Sequence, residues 1–403
     1  MESARRIPSR ILPAIVTAEF LATSLWFAGH AVAKDFAREL GLGPESAGLM
    51  VSSVQLGFII GTFLFAVFNV SDRYAPRWVF FWCAVLAAAS NLGALALPGS
   101  ISAVLMSRAA IGVCLAGVYP VGMKIAASWY DRHLGHAIGA LVGALVMGKS
   151  LPFLLQAIGH ELPWQRLLVL VSGASAAGGV VMLVLVPDGP HLPGRAPFDL
   201  RALFAAFRSR EFRASALGYF GHMWELYAFW AFVPLYLRTA GGVAEERVAG
   251  CVFGVFAAGV AGCFIGGWLS RTRGSFTVAR ACLAGSGICC ALSGVAQGLP
   301  FPLLLSFLFA WGFLVVGDSA QFSTMNAMRA PRAYVGSALT LVNSIGFGIT
   351  IVSIELLARL SEARPIASVY WLLGIGPLLG LIAMGRSPGR RAAEGGPPGL
   401  LPA

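Results

Sequence analysis

The sequence predicts an all-α membrane protein with twelve transmembrane helices in two pseudo-symmetric six-helix bundles. Its composition is 57% hydrophobic and only 12% charged, whereas a soluble domain carries about 25% charged residues. Apolar runs recur along the chain, and each is near the roughly 20 residues that a helix needs to cross a bilayer core. A break rich in Pro and Arg lies near the midpoint and separates six runs from six.

The twelve runs lie between short polar or Pro-containing segments. Their predicted bounds are 11–33, 48–70, 78–97, 101–127, 137–159, 166–186, 214–237, 247–269, 276–297, 301–323, 334–357 and 366–385. The predicted domains follow from these runs: an N-terminal bundle (1–186), a cytoplasmic linker with a short amphipathic helix (187–213), a C-terminal bundle (214–385) and a disordered tail (386–403).

Charge sets the predicted orientation. Lys and Arg residues are concentrated in the segments on the side of both termini, which places the termini in the cytoplasm by the positive-inside rule. The first run resembles a cleavable signal peptide, but Glu19 in its middle and its length favour a retained helix. We therefore expect a multi-pass protein of the cell inner (plasma) membrane.

Several classes of function are excluded by what the composition lacks. The net charge is +11, but the basic residues form no continuous cluster, so no nucleic acid partner is expected. The seven Cys residues lie inside apolar runs without CxxC spacing, which predicts no metal and no cofactor. No HExxH or GxSxG motif is present, so the protein is not expected to be an enzyme.

Two basic turns about 200 residues apart suggest a duplicated half. They are "SDRYAPR" (71–77) and "GGWLSRTRG" (266–274), and a third element is Arg108 followed by "IGVCLAGVYPVG". These segments resemble, in degenerate form, the loop and fourth-helix motifs of the major facilitator superfamily. The resemblance implies alternating access between two bundles, a secondary-active mechanism and a cytoplasmic gate that contains Asp72 and Arg73.

Two ionisable residues interrupt the seventh run, within "GHMWELYAFW" (221–230). Glu225 lies near the middle, where an ionised side chain costs roughly 2.5–3.5 kcal/mol to insert. His222 lies on the same helical face at i and i+3. We predict that Glu225 couples transport to protons, that His222 shares or tunes the proton, and that Glu19 is a candidate partner. The alternative is a static polar pair that bridges helices.

Further polar residues inside the runs predict the wall of a substrate cavity. Lys149 lies too deep in the fifth run to snorkel easily, so it either neutralises Glu19 or Glu225 or attracts an anion. The predicted substrate-binding residues are Lys149, Arg108, Thr23, Trp26, Tyr227, Asn343 and Ser344. Asp318, toward the inner end of the tenth run, is predicted to act in a gate.

The sequence thus predicts a secondary transporter of a small solute, proton-coupled and favouring an anionic substrate, which works as a monomer. A transporter of cations, transition metals or lipophilic drugs is one alternative, suggested by His222, Met223 and the acidic groups. A further alternative is a membrane sensor that keeps the fold without transporting. Solute identity, direction and stoichiometry do not follow from spacing alone.

Overall fold

Helices make up all the regular secondary structure that the structure describes. The computed structural model describes residues 7–40, 46–96, 100–130, 134–159, 162–191, 201–330 and 335–385. All of the predicted tail (386–403) and part of the predicted linker (192–200) lie outside these residues.

In the first half of the chain, up to residue 191, the structure describes ten α-helices. They are α1 (Ile11–Ala22), α2 (Ala28–Ala31), α3 (Ala33–Leu40), α4 (Ser46–Val67), α5 (Val70–Arg73), α6 (Pro76–Ala96), α7 (Ile101–Leu115), α8 (Tyr119–Trp129), α9 (Leu134–Ile158) and α10 (Trp164–Leu185). A short 3₁₀ turn, Thr23–Leu25, follows α1.

The second half begins with a short helix at the end of the predicted linker. Its helices are α11 (Arg201–Arg208), α12 (Arg210–Thr239), α13 (Glu245–Arg273), α14 (Ser275–Ala296), α15 (Phe301–Gly317), α16 (Ser319–Arg329), α17 (Val335–Ala363), α18 (Ile366–Val369) and α19 (Ile375–Gly385). A 3₁₀ turn, Tyr370–Gly374, joins the last two helices.

Among the described residues, ten helical segments are long and apolar enough to cross a membrane. The two remaining predicted runs, the first and the seventh, differ from these ten. The first run is broken after Ile11–Leu25. The seventh forms the continuous 30-residue helix α12, but polar and aromatic residues lower its hydropathy, and 21 of its residues are buried. Both runs are interior elements because their polar side chains need protein around them rather than lipid.

Helices within each half pack on one another, and the halves meet mainly through two helix pairs. In the first half α4 packs on α7 and α6 on α10, while in the second half α13 packs on α15 and α12 on α19. Across the halves α9 packs on α13, and α4 packs on α17. The broken first run and α12 lie between these two cross-half pairs, and their aromatic side chains meet there.

Small residues allow equivalent close packing in both halves. A Cβ atom at Gly112 of α7 would lie 2.0 Å from the carbonyl oxygen of Val54 in α4. A Cβ atom at Gly262 of α13 would lie 2.1 Å from the carbonyl oxygen of Phe313 in α15. Such backbone-to-backbone approach is typical of helices in lipid, where van der Waals packing replaces the hydrophobic effect as the force between helices.

Candidate functional site

A buried lysine enclosed by aromatic rings lies where the two halves meet. The Nζ atom of Lys149 is 4.2 Å from the ring centroid of Trp26, 4.5 Å from that of Tyr227 and 5.2 Å from that of Trp230. The Tyr227 hydroxyl accepts a hydrogen bond from Nζ at 2.5 Å. Lys149 is only 1% exposed, so the rings stabilise a desolvated ammonium group by cation–π attraction.

The first run turns away from regular α-helix beside this lysine. After α1 the chain forms the 3₁₀ turn, and Phe27 (φ −103°, ψ 10°) separates that turn from α2. The hydroxyl groups of Thr23 and Ser24 donate to the carbonyls of Glu19 (2.7 Å) and Leu21 (2.7 Å), which satisfies acceptors near the break. A mid-helix 3₁₀ stretch often marks a functional hinge.

A glycine next to the lysine allows α9 to reach this broken segment. A Cβ atom at Gly148 would lie 2.2 Å from Thr23 Oγ1 and 2.3 Å from the carbonyl oxygen of Phe20. No side chain fits into that space, so glycine at this position sets how closely Lys149 approaches Trp26.

Glu19 is the acidic residue of this region and is completely buried. Both of its carboxylate oxygens lack a hydrogen-bond partner among the described residues. The Oε2 atom lies against α8, only 2.5 Å from where a Cβ atom of Gly122 would be. Lys149 is the cation within electrostatic range of Glu19. The carboxylate therefore faces one buried cation and has no donor that fixes it.

Around the same region, several buried donors also lack an acceptor within the described part of the chain. They are the indole Nε1 atoms of Trp26 and Trp230, the amide Nε2 of Gln55, and Nε and Nη1 of Arg108. Leaving a buried donor unsatisfied costs about 1–3 kcal/mol. The surplus of donors over acceptors favours a ligand that is rich in acceptor oxygens.

Arg108 of α7 lies beside the broken run. A Cβ atom at Gly29 would be 2.9 Å from Arg108 Cδ, so the side chain packs directly on α2. Its Nη2 atom donates to Asn91 Oδ1, and Asn91 in turn donates to the carbonyl oxygen of Leu168 at 3.0 Å. Among the described residues, Arg108 thus has one hydrogen-bond partner, and its Nε and Nη1 atoms have none.

Glu225 lies in a different environment, entirely among helices of the second half. Its Oε1 accepts from Trp311 Nε1 at 2.6 Å and from Cys290 Sγ at 3.3 Å, and its Oε2 accepts from Ser286 Oγ at 2.8 Å. These donors belong to α14 and α15. Among the described residues its partners are all in the second half, and the three donors fix the carboxylate within one group of helices.

The structure does not bring His222 to Glu225. His222 Nδ1 lies 2.8 Å from Asp318 Oδ1, and its Nε2 is 2.9 Å from Ser319 Oγ. Both ionisable side chains are almost completely buried. His222 and Asp318 therefore form one buried pair that joins α12 to the junction of α15 and α16, while Glu225 has its own separate partners.

The remaining predicted site residues are scattered. Ser344 is buried on α17 and contacts Thr62 Oγ1 of α4 at 3.2 Å, whereas its neighbour Asn343 is half-buried. Arg73 is exposed in α5. The side chain of Asp72 lies outside the described residues.

Three polar residues of the site were not predicted from the sequence. Gln55 accepts a hydrogen bond from Thr350 across the two halves, Asn91 supports Arg108, and Trp230 completes the aromatic enclosure. Gln55 and Asn91 each interrupt an apolar run, which is the sequence signal that would have found them.

Cation-binding groups do not cluster in the described residues. No three His, Cys, Asp or Glu side chains there converge on a position that could hold a metal ion. Met223 is buried, and its neighbour His222 contacts Asp318 and Ser319 instead of a group of three possible metal ligands.

Comparison with known proteins agrees with this architecture. The family model described as Major Facilitator Superfamily matches residues 15–354. One relative, the "Probable galactarate/D-glucarate transporter GudP" of Escherichia coli (strain K12), is 22% identical over 309 residues, which cover 66% of this chain and 68% of the relative. With apolar helices of membrane-spanning length and a family match over most of its sequence, the chain belongs to the major facilitator superfamily and is a multi-pass membrane transporter of small solutes.

Proposed function

We propose that the protein moves a small organic anion by proton-coupled secondary transport. The observation that carries this proposal is the buried Lys149, which contacts aromatic side chains from both halves of the chain. A site made of both halves is where substrate binding can be linked to their relative movement. The proposed architecture is twelve membrane helices in two six-helix bundles (1–186 and 214–385) joined by the linker 187–213.

The chemistry of the site favours an anion over a cation. The aromatic rings already surround an ammonium group, so a cationic substrate would have to displace Lys149 or accept like-charge repulsion. The donors of Trp26 and Trp230 can hydrogen-bond to a carboxylate or hydroxyl oxygen beside the lysine. Arg108 offers a second positive group, suited to bidentate contact with a carboxylate.

The relative adds a specific substrate class to test. It is a probable transporter of galactarate and D-glucarate, which are sugar acids with a carboxylate at each end and hydroxyl groups between. Two separate cations, Lys149 and Arg108, with indole and amide donors around them suit an elongated anion of this kind. We propose a hydroxylated carboxylate as the substrate class, with Thr23, Tyr227, Asn343 and Ser344 as further wall residues.

Proton coupling is proposed to reside on Glu19 rather than on Glu225. Glu19 faces Lys149 and has no other described partner, so it can gain or lose a proton as the charge near Lys149 changes. An arriving anion that pairs with Lys149 would remove the cation that stabilises ionised Glu19, which favours proton uptake. Glu225 is fixed by three donors and is proposed to stabilise the second half.

The roles predicted for the gate residues, the oligomeric state and the orientation are also proposals. His222 and Asp318 are proposed to form a pair that rearranges at a gate as the halves move, and Asp72 with Arg73 is proposed to act in a second gate. The protein is proposed to work as a monomer in the inner membrane with both termini in the cytoplasm.

The test is counterflow of radiolabelled D-glucarate in proteoliposomes, preceded by a thermal-shift screen of purified protein against organic anions, sugars, lipophilic cations and divalent metals. We expect stabilisation by hydroxylated carboxylates alone. Lys149→Met should abolish counterflow, whereas Lys124→Met, a lysine of α8 outside the site, should retain it. Stabilisation by cations, or unchanged counterflow in Lys149→Met, would refute the anion proposal.

A further inference from the structure

A groove on the outer surface of the second half has the shape and charge of a lipid site. It has a volume of about 800 Å³ and lies between α12, α17 and α19. Leu217, Val352 and Leu379 line it and are 43%, 59% and 60% exposed. In a multi-pass membrane protein these exposed side chains face acyl chains, so the groove opens to the bilayer.

The floor of the groove is deep because two glycines lie beneath it. A Cβ atom at Gly221 of α12 would lie 2.3 Å from the carbonyl oxygen of Gly376 in α19. Backbone meets backbone at this point, and no side chain rises to fill the space above. At the far end the indole Nε1 of Trp224 donates to the carbonyl oxygen of Leu372 at 3.1 Å, which leaves the apolar part of its ring toward the groove.

The other end of the groove is positively charged. Arg210 and Arg213 line it there and are exposed. The Nη1 atom of Arg213 also donates to the carbonyl oxygens of Phe207 (2.7 Å) and Arg208 (3.1 Å), the last residues of α11. This contact holds the short helix α11, with its own arginines, at the mouth of the groove.

The length of the groove matches one leaflet of a membrane. Trp224 lies fourteen residues after Arg210 along α12, a rise of about 21 Å at 1.5 Å per residue. Half of a bilayer core is about 15 Å thick. With Trp224 near the middle of the core, the remaining rise of about 6 Å places the arginines at the depth of the headgroups. The groove therefore has apolar surface at the depth of acyl chains and cations at the depth of phosphates.

We propose that this groove binds an anionic phospholipid, with its phosphate at Arg210 and Arg213 and an acyl chain between α12 and α19. Charge complementarity selects the anionic headgroup, because each arginine near a phosphate of the membrane surface attracts it. The groove is lined by residues of α12 other than Tyr227 and Trp230, which contact Lys149, and lipid binding does not depend on the identity of the transported solute. A lipid held there also stabilises α11 against α12.

Native mass spectrometry of purified protein with added phosphatidylglycerol or phosphatidylcholine tests the proposal. We expect phosphatidylglycerol to bind about thirty-fold more tightly, or about five-fold for each arginine. Arg210→Gln, which leaves the contact of Arg213 with α11 intact, should lose about five-fold. Equal binding of the two lipids would overturn the proposal.

Two further variants distinguish lipid binding in the groove from attraction of the lipid to general surface charge. Arg271→Gln with Arg273→Gln removes two exposed arginines at the same end of the molecule, because α13 runs opposite to α12, and it should leave binding unchanged. Leu379→Trp fills the groove and should weaken phosphatidylglycerol binding while the protein keeps its melting temperature. If the Arg271 and Arg273 variant loses as much phosphatidylglycerol binding as Arg210→Gln, or if Leu379→Trp loses none, binding depends on charge alone. Either result would refute binding in the groove. Displacement of the lipid by millimolar inorganic phosphate would refute it as well.

Discussion

Two buried glutamates, 206 residues apart in the sequence, have opposite surroundings. Glu225 accepts hydrogen bonds from Ser286, Trp311 and Cys290. Glu19 accepts none among the described residues and faces Lys149 from within electrostatic range. Both are inaccessible to solvent, so burial alone does not distinguish them. The number of donors that hold each carboxylate does.

The difference separates a stabilising acid from a responsive one. A buried carboxylate with three donors is satisfied in one arrangement and loses that satisfaction if it moves. A carboxylate that depends on one cation changes its protonation state when that cation pairs with another group. Glu19 interacts with Lys149, whose ammonium group contacts rings from both halves, whereas the described partners of Glu225 all belong to the second half. We propose that proximity to Lys149 and incomplete hydrogen bonding together make Glu19 the proton-coupling residue.

The largest expected effect on stability comes from Glu225→Ala. The substitution leaves three buried donors without an acceptor and should lower the free energy of unfolding by about 3 kcal/mol or more. Glu19→Ala should cost less than Glu225→Ala, because no described donor loses its acceptor and Lys149, which loses its counter-charge, keeps its cation–π contacts. Thermal unfolding of both variants in detergent checks the contrast. Equal losses in the two variants would remove the distinction drawn between them.

Gly148→Ala tests the close approach that positions Lys149. Because a Cβ atom would overlap Thr23 and the Phe20 carbonyl, we expect a loss of about 1–3 kcal/mol in stability and a weaker substrate site. Gly139→Ala on the same helix is the matched control, since no atom lies within 4 Å of its Cβ position. The melting temperature and substrate-induced thermal shift should change in the first variant only. Similar behaviour of the two would show that the approach to Thr23 does not matter.

Two indole-to-phenyl changes give a smaller contrast. Trp311→Phe keeps the ring that stacks on Phe229 at 4.6 Å but removes a donor to Glu225, so stability should fall by about 1 kcal/mol. Trp26→Phe removes a donor that has no described acceptor, so stability should hold while affinity for the anion falls. Unfolding and isothermal titration measure the two quantities. A stability loss in Trp26→Phe as large as in Trp311→Phe would contradict the assignment.

The smallest effect is expected at an exposed ion cluster between the halves. Glu245 Oε2 lies 3.0 Å from Lys34 Nζ, and Arg238 Nη2 lies 3.0 Å from Glu245 Oε1. Glu245 is about half exposed, so Glu245→Gln should change stability by less than about 1 kcal/mol. The melting temperature of this variant in low and high salt is the reference against which the losses at the buried sites are compared. A loss as large as that of Glu225→Ala would show that exposed charges dominate instead.

Much of the fold could be predicted from hydropathy because lipid demands long apolar helices whatever their partners are. Ten predicted runs appear as apolar helices of spanning length. The seventh run is helical as predicted, but its polar and aromatic residues make it an interior helix. The break at Thr23–Leu25 was not predicted, since no Pro or Gly marks it and side-chain hydroxyls near it satisfy the backbone.

The site could be predicted only in part. Lys149, Trp26 and Tyr227 were expected at one cavity, and they are in contact. The partner of His222 was not predicted, because helical spacing places His222 and Glu225 on one face but does not reveal which helix lies opposite. Asp318, 96 residues further on, is that partner. Likewise, nothing in spacing distinguishes a carboxylate with three donors from one with none.

The central claim is tested most directly by comparing proton-driven uptake with counterflow in proteoliposomes that contain Glu19→Gln or Glu225→Gln. An amide keeps the size of the side chain but cannot release a proton at neutral pH. The account predicts that Glu19→Gln exchanges labelled substrate but no longer accumulates it when a pH gradient is applied, while Glu225→Gln still accumulates it. Full pH-driven accumulation by Glu19→Gln, with loss of accumulation but retained exchange in Glu225→Gln, would contradict it.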